Sequence, residues 1–172
     1  MIKLSKTLLA TELANIIHPE QFAILCLGYE LRGDDKIGIY IGEQLKSRLP
    51  QDQSDRIIIG YNTPINFLGQ LAQLKPNLIL VIDSVVGDFE KGKIVLSDYQ
   101  DIAELQTFTT HYQGLSQIES YLENILNKKI LIKILGISID SFEMGEGLDY
   151  EIQQQGDFIV KTLEKIISLK VK

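Results

Sequence analysis

Apolar residues along the chain follow two alternating rhythms. Phe22-Ala23-Ile24-Leu25-Cys26-Leu27-Gly28 is an unbroken apolar run closed by glycine, the signature of a strand buried on both faces. After the polar stretch 29–35, Ile37, Ile41, Leu45 and Leu49 recur at helical spacing until Pro50 stops them. Arg56-Ile57-Ile58-Ile59-Gly60 reads as a second strand. Pro64 opens a helix carrying Ile65, Leu68, Ala72 and Leu74, which ends before Pro76. Leu78 to Asp83 is a third buried strand, and Lys93 to Leu96 a shorter one. Leu115, Ile118, Leu122 and Ile125 predict another amphipathic helix, and Ile130 to Ser138 the last strand. Ile152, Ile159, Leu163 and Ile166 line a long C-terminal helix, which Gly156 is expected to weaken by about 1 kcal/mol relative to alanine.

Strands and helices alternating at these lengths predict an α/β fold. The expected form is a three-layer α/β/α sandwich around a mostly parallel five-stranded sheet. Leu9, Leu13, Ile16 and Ile17 share one helical face, which adds an N-terminal helix packed on the domain or on a partner. Lys3 and Lys6 before Leu8-Leu9-Ala10 hint at a signal peptide, but Glu12 interrupts the apolar stretch too early. No repeat, low-complexity tract or linker divides residues 1–172, so a single domain is expected.

Composition narrows the chemistry. Lys+Arg 17 against Asp+Glu 23 leaves a net charge of -6, which argues against a nucleic-acid partner. No apolar run reaches the roughly 20 residues of a membrane helix, so no membrane insertion is expected. The one cysteine, Cys26, precludes an intrachain disulfide and a thiolate-rich metal site, and its place in an apolar strand suits a core residue. With no export signal in the chain, a reducing cytoplasm is the default expectation. Two histidines, His18 and His111, are the whole imidazole supply, so any metal chemistry must rest mostly on carboxylates.

In a doubly wound sheet the ligand crevice lies beyond the carboxyl ends of the strands, where strand order reverses. With a flavodoxin-like order, the first and third strands flank that point. The first is followed by Gly28-Tyr29-Glu30-Leu31-Arg32-Gly33-Asp34-Asp35-Lys36-Ile37-Gly38. These glycines do not match the dinucleotide pattern, and Asp34-Asp35 stands where a phosphate loop needs Lys and Ser/Thr. One aspartate could cap the following helix, worth about 1 kcal/mol, but two leave one over, and a cation becomes a rival explanation. Asp83 ends the third strand, where an aspartate is either a turn residue or part of the same site. His111 lies before a predicted helix, and is either a capping residue or a third ligand; His18 receives no role. Asp35, Asp83 and His111 together would suit Ni, Zn, Mn or Fe(II), with nothing in the donor types to choose among them.

From about Ala23 to the C-terminus the sequence resembles the hydrogenase maturation endopeptidases, which process the large subunit of nickel–iron hydrogenases. Gly28 to Gly38 follows that family's opening frame of Gly, a spacer, paired acids and Gly-hydrophobic-Gly. Leu80-Val81-Ile82-Asp83-Ser84 matches its strand-end aspartate, and Lys91-Gly92-Lys93 resembles its Pro-Gly-Thr. Thr109-Thr110-His111 with Gly114-Leu115 resembles its Ser/Thr-Thr-His motif, in the form of the hydrogenase-3-type branch. Gly136-Ile137 with Glu143-Met144-Gly145-Glu146-Gly147-Leu148 resembles its late strand and Gly-x-Gly-Leu loop. The resemblance divides the chain into an N-terminal helical extension, 1–20, and a maturation protease-like domain, 21–172.

That resemblance implies an endopeptidase, a nickel–iron hydrogenase large-subunit precursor as partner, and removal of the precursor's C-terminal extension. Nickel would arrive in the precursor and meet Asp35, Asp83 and His111; other divalent metals suit the same donors. Asp34 matches the acid that orients or caps the loop, and is also the candidate for moving protons in catalysis. Whether the metal polarises the scissile carbonyl or serves only as a recognition tag stays open. The chain departs from the family where Tyr61, Asn62 and Thr63, the substrate-loop candidates, replace an Asp-Gly-Gly-Ser/Thr pattern. Tyr29 stands for an asparagine, Lys36 for a small residue, and Ser138-Ile139-Asp140 for Gln-Pro-Glu. The altered 59–63 loop motivates one alternative, a diverged relative that binds a metallated partner without cutting it; another is a metal-free doubly wound binding module whose resemblance to the family is only structural.

Overall fold

The structure, a computed structural model, describes residues 2–3, 5–104, 114–141, 145 and 147–169. Strands β1 (Ile2–Lys3), β2 (Phe22–Leu27), β3 (Ile57–Tyr61), β4 (Leu78–Val85), β5 (Ile94–Asp98) and β6 (Leu131–Ser138) form one sheet. Its order is β1-β5-β6-β4-β2-β3. β3, β2, β4 and β6 run parallel, while β5 is antiparallel to β6. This is the expected mostly parallel five-stranded sheet, with the two-residue β1 added antiparallel along β5. The order reverses at β2, whose neighbours are β3 and β4. The crevice beyond the ends of β2 and β4 therefore lies where the sequence pattern puts it.

The helices are α1 (Lys6–Ile16), α2 (Ile37–Arg48), α3 (Gln51–Ser54), α4 (Leu68–Leu74), α5 (Tyr99–Glu104), α6 (Leu115–Leu126) and α7 (Tyr150–Leu169). Two apolar clusters cover the two faces of the sheet. One joins α1, α2 and α7 to Ile24, Cys26, Leu80 and Ile82. The other joins α4 and α6 to Leu25, Leu27, Ile79 and Val81. This alternation along β2 and β4 is the period-2 geometry of a strand covered on both sides. Leu9, Leu13 and Ile17 are buried in the first cluster, so the N-terminal helix shares the core of the domain.

Three elements depart from the sequence expectation. The helix opened by Pro64 begins as a 3-10 turn, Pro64–Phe67, and becomes α-helical only at Leu68. β5 runs on through Ser97 and Asp98, because the ladder to β6 continues to Lys133, whose ammonium meets Asp98 at 2.9 Å. Gly156, expected only as a weak point of α7, sits against α2: a Cβ there would approach Ile37 Cδ1 to 2.8 Å.

Candidate active site

β2 ends at Leu27, and the backbone turns at Gly28 with φ 151. A Cβ at Gly28 would lie 2.4 Å from the carbonyl oxygen of Asp35, so only glycine lets the acidic turn close over the strand end. The turn itself, Gly33–Lys36, is 3-10 and leads directly into α2. The Asp35 amide donates to the Arg32 carbonyl at 2.7 Å, and the Asp35 side chain is only 1 % exposed.

Asp83 and Ser84, at the end of β4, are both 0 % exposed. The Ser84 amide donates to Asp83 Oδ1 at 2.8 Å, and the Ser84 hydroxyl donates to Asp35 Oδ1 at 2.5 Å. Strand alternation turns Ser84 toward the α2 side and Asp83 toward the α6 side, so the two carboxylates flank the strand end and are joined through one residue. Asp35 Oδ2 is buried with no hydrogen-bond partner among the described residues. A buried carboxylate oxygen in that state is costly in a finished fold and suits a cation or a donor brought by a ligand.

His111, Thr109 and Thr110 lie outside the described residues. Among the described residues, no three potential metal-ligating side chains converge. Asp35 and Asp83 supply carboxylate oxygens of the kind a divalent cation accepts, and a full coordination sphere needs donors beyond these two.

Asp34 is placed differently. Its Oδ1 accepts from the Asp149 amide at 2.7 Å, and its Oδ2 lies 3.5 Å from Lys91 Nζ. Lys91 also meets Asp149 at 3.3 Å and Asp140 at 3.7 Å. Gly33 adds a backbone tie, its amide donating to the Gly145 carbonyl at 3.0 Å. The acidic turn is thereby clamped to the 87–93 loop and to the loop before α7. A hollow of about 260 Å³ lies among them, lined by Gly33, Asp34, Lys91, Asp140, Ser141, Gly145 and Gly147. In sequence Lys91 stands out only as part of a Lys-Gly-Lys turn; its ion-pair role is invisible without the fold, because its partners lie on two distant loops.

Two of the clamp's charged groups, Asp149 and Lys91, carry shifted acidities. The Glu151 amide, and after it Lys91, holds the Asp149 carboxyl below the usual carboxylate range. Burial pulls the Lys91 ammonium down, but Asp149, Asp34 and Asp140 outweigh it and raise the net value. The depressed Asp149 group stabilises the folded loop above its unfolded pKa and loses that contribution as pH falls through the folded value. The raised Lys91 group contributes below its unfolded pKa and loses that contribution as pH rises through its folded value. NMR titration of Lys91→Ala should move the Asp149 carboxyl only part of the way back, because the larger cause is the Glu151 amide. Full return to the ordinary value would contradict that assignment.

Beside β2, the register slips between Cys26 and Leu27, which pair with Ile59 and Tyr61 and leave Gly60 as a bulge. The bulge brings Tyr61 to φ 51, and its carbonyl accepts from the Gly28 amide at 3.1 Å. Tyr61 therefore holds a left-handed conformation that favours glycine. Tyr61 and Asn62, with Gly28, Tyr29, Glu30 and Leu31, line a cavity of about 340 Å³. Thr63 follows in the exposed connection and accepts from the Asn66 side chain at 3.3 Å. Arg32 stacks over the Tyr29 ring at 4.9 Å. Tyr29 and Tyr61, two of the departures from the family pattern, thus meet in one pocket. Cys26 is fully buried in the cluster on the α2 side of the sheet; burial pushes its thiol up, Lys46 pulling back in part and Asp83 adding to the rise, which suits a core residue rather than a nucleophile.

Comparison with known proteins settles the family. The model for the hydrogenase maturation protease HycI matches residues 39–166. The chain belongs to the hydrogenase maturation protease family. A Methanocaldococcus jannaschii protein named for that family is 32% identical over 157 residues, spanning 86% of this chain and 89% of its own. The hydrogenase 3 maturation protease of Escherichia coli K12 is 28% identical over 111 residues, spanning 64% of this chain and 70% of its own. Among solved structures, the nickel–iron hydrogenase maturation protease HycI of Thermococcus kodakarensis shares the fold. It has a TM-score of 0.73 at 21% identity, covering 91% of this chain and 99% of that one. The maturating endopeptidase HybD of Escherichia coli follows at 0.65 and 20% identity, covering 87% and 91%. As a hydrogenase maturation protease, the chain is a peptidase. Among its described residues no helix is long and apolar enough to cross a membrane.

Proposed function

We propose that this peptidase recognises nickel in the precursor of a nickel–iron hydrogenase large subunit and removes the precursor's C-terminal extension. The observation that carries the reading is Asp35, a buried carboxylate at the topological switch point with one oxygen held by Ser84 and the other without a partner among the described residues. A group so placed is prepared for a cation that arrives with another molecule. Asp83 is the second oxygen donor, and His111 is assigned as the third ligand on the motif that contains it. The Escherichia coli relative is named for hydrogenase 3, which favours that branch for the precursor.

Asp34 is best read as the residue that holds the acidic turn, because both of its oxygens are engaged. For Asp34 to accept a proton, its pairing with Lys91 must first loosen. The cavity between Tyr29 and Tyr61 adjoins the acidic turn and is where the peptide flanking the scissile bond would lie. Bound nickel would supply a positive charge that fixes the precursor against the site, and the surrounding chain positions the peptide bond for water.

Incubation with the nickel-loaded precursor of a co-encoded large subunit should release a C-terminal peptide, read by mass spectrometry, while nickel-free precursor stays intact. Equal cleavage of both forms would remove nickel from the recognition step. Tight binding without cleavage would favour the diverged, non-cutting relative that the altered 59–63 loop suggests.

A further inference from the structure

The strand-end motif Leu80-Val81-Ile82-Asp83-Ser84 gives a role to its aspartate and none to Ser84, yet Ser84 touches both carboxylates. Its hydroxyl proton is committed to Asp35 Oδ1 at 2.5 Å, and its amide to Asp83 Oδ1 at 2.8 Å. All three side chains are buried, so neither bond is diluted by water. A hydroxyl has one proton to give, and spending it on Asp35 leaves that carboxylate one oxygen, Oδ2, with no partner among the described residues.

We propose that Ser84 is a positioning residue: by holding one oxygen of each aspartate, it fixes the orientation in which the site offers Asp35 Oδ2 to a divalent cation. The inference rests on the proposed metal-recognising role of Asp35. The rival explanation is that Ser84 merely satisfies a buried carboxylate. Loss of the hydroxyl separates the two. A positioning role shows in cation affinity, because partners that orient ligands typically carry about 10- to 100-fold of it. A filling role shows only in stability.

The test is calorimetric titration of the purified full chain with nickel chloride, with thermal unfolding measured in parallel. Ser84→Ala should weaken Ni(II) binding about tenfold or more. Ser84→Thr, which restores a hydroxyl, should recover most of the loss. An affinity in Ser84→Ala within about twofold of wild type, with only the unfolding midpoint lowered, overturns the positioning role and leaves the metal reading standing. Were the alanine variant not to fold, Ser84→Val set against Ser84→Thr, of the same shape but with a hydroxyl, carries the same comparison: weaker binding in Ser84→Val supports the role and equal binding overturns it. If wild type itself takes up no Ni(II), or if Asp35→Asn binds as well as wild type, the metal reading fails and the positioning role falls with it.

Discussion

Asp35→Asn is expected to cut processing of the nickel-loaded precursor by at least about a hundredfold while leaving the protein no less stable. Two opposed effects of one buried charge produce this pairing. The carboxylate is 1 % exposed, and only one of its oxygens is hydrogen-bonded among the described residues. Burying an ionised group so incompletely paired costs stability, which an isosteric neutral amide relieves. The amide oxygen can still accept from the Ser84 hydroxyl, and the amide nitrogen that takes the place of Oδ2 costs less to bury unpaired than a carboxylate charge. Against a divalent cation, however, an amide lacks the negative charge that makes the site attractive. Processing assays and urea unfolding on the same preparation check both halves. A variant that loses stability but keeps full activity would place Asp35 in the scaffold rather than the site.

Gly38→Ala is expected to destabilise the protein by at least about 3 kcal/mol, and to disrupt the site before it disrupts the rest of the fold. A Cβ at Gly38 would stand 2.0 Å from the Leu27 carbonyl oxygen and 2.5 Å from that of Ile82. Both obstacles are backbone of central strands, which cannot rotate aside as a side chain can. Relief would require α2 to lift from the ends of β2 and β4, carrying the Asp34-Asp35 turn with it. Gly69→Ala is the control: nothing among the described residues lies within 4 Å of its Cβ, and alanine there should be neutral or stabilising by up to about 1 kcal/mol. Urea denaturation of the two variants gives the contrast. A loss below about 1 kcal/mol at Gly38 would mean that the close approach of α2 to the strand ends is not required.

Much of the architecture was legible because burial on both faces writes itself into continuous apolar runs. β2, β4 and β6 fall within a residue or two of the runs that announced them, and α2, α6 and α7 follow their apolar rows. What escaped was structure held by pairing rather than by composition. Ser97 and Asp98 look like a loop but stay in β5 through the β6 ladder. Tyr99–Glu104 and Gln51–Ser54 are too short to show a helical row. Gly156 looks like a flaw in α7 and is the point where α7 rests on Ile37.

The site divides in the same way. The identity of its carboxylates was open to inspection, since paired aspartates after one strand and a third at the end of another are local facts of the chain. Sequence alone also excluded a thiolate-rich site and limited imidazole to His18 and His111. Which of those aspartates does what depended on contacts between segments far apart in sequence. Asp34 and Asp35 are neighbours of the same chemistry, yet one is paired with Lys91 and Asp149 while the other is buried against Ser84. Residue type and order set the donors that could exist. Only tertiary packing decided which was clamped, which kept an oxygen without a partner among the described residues, and which serine joined Asp35 to Asp83, because hydrogen bonds are assigned by proximity in space and adjacent residues can face different surroundings.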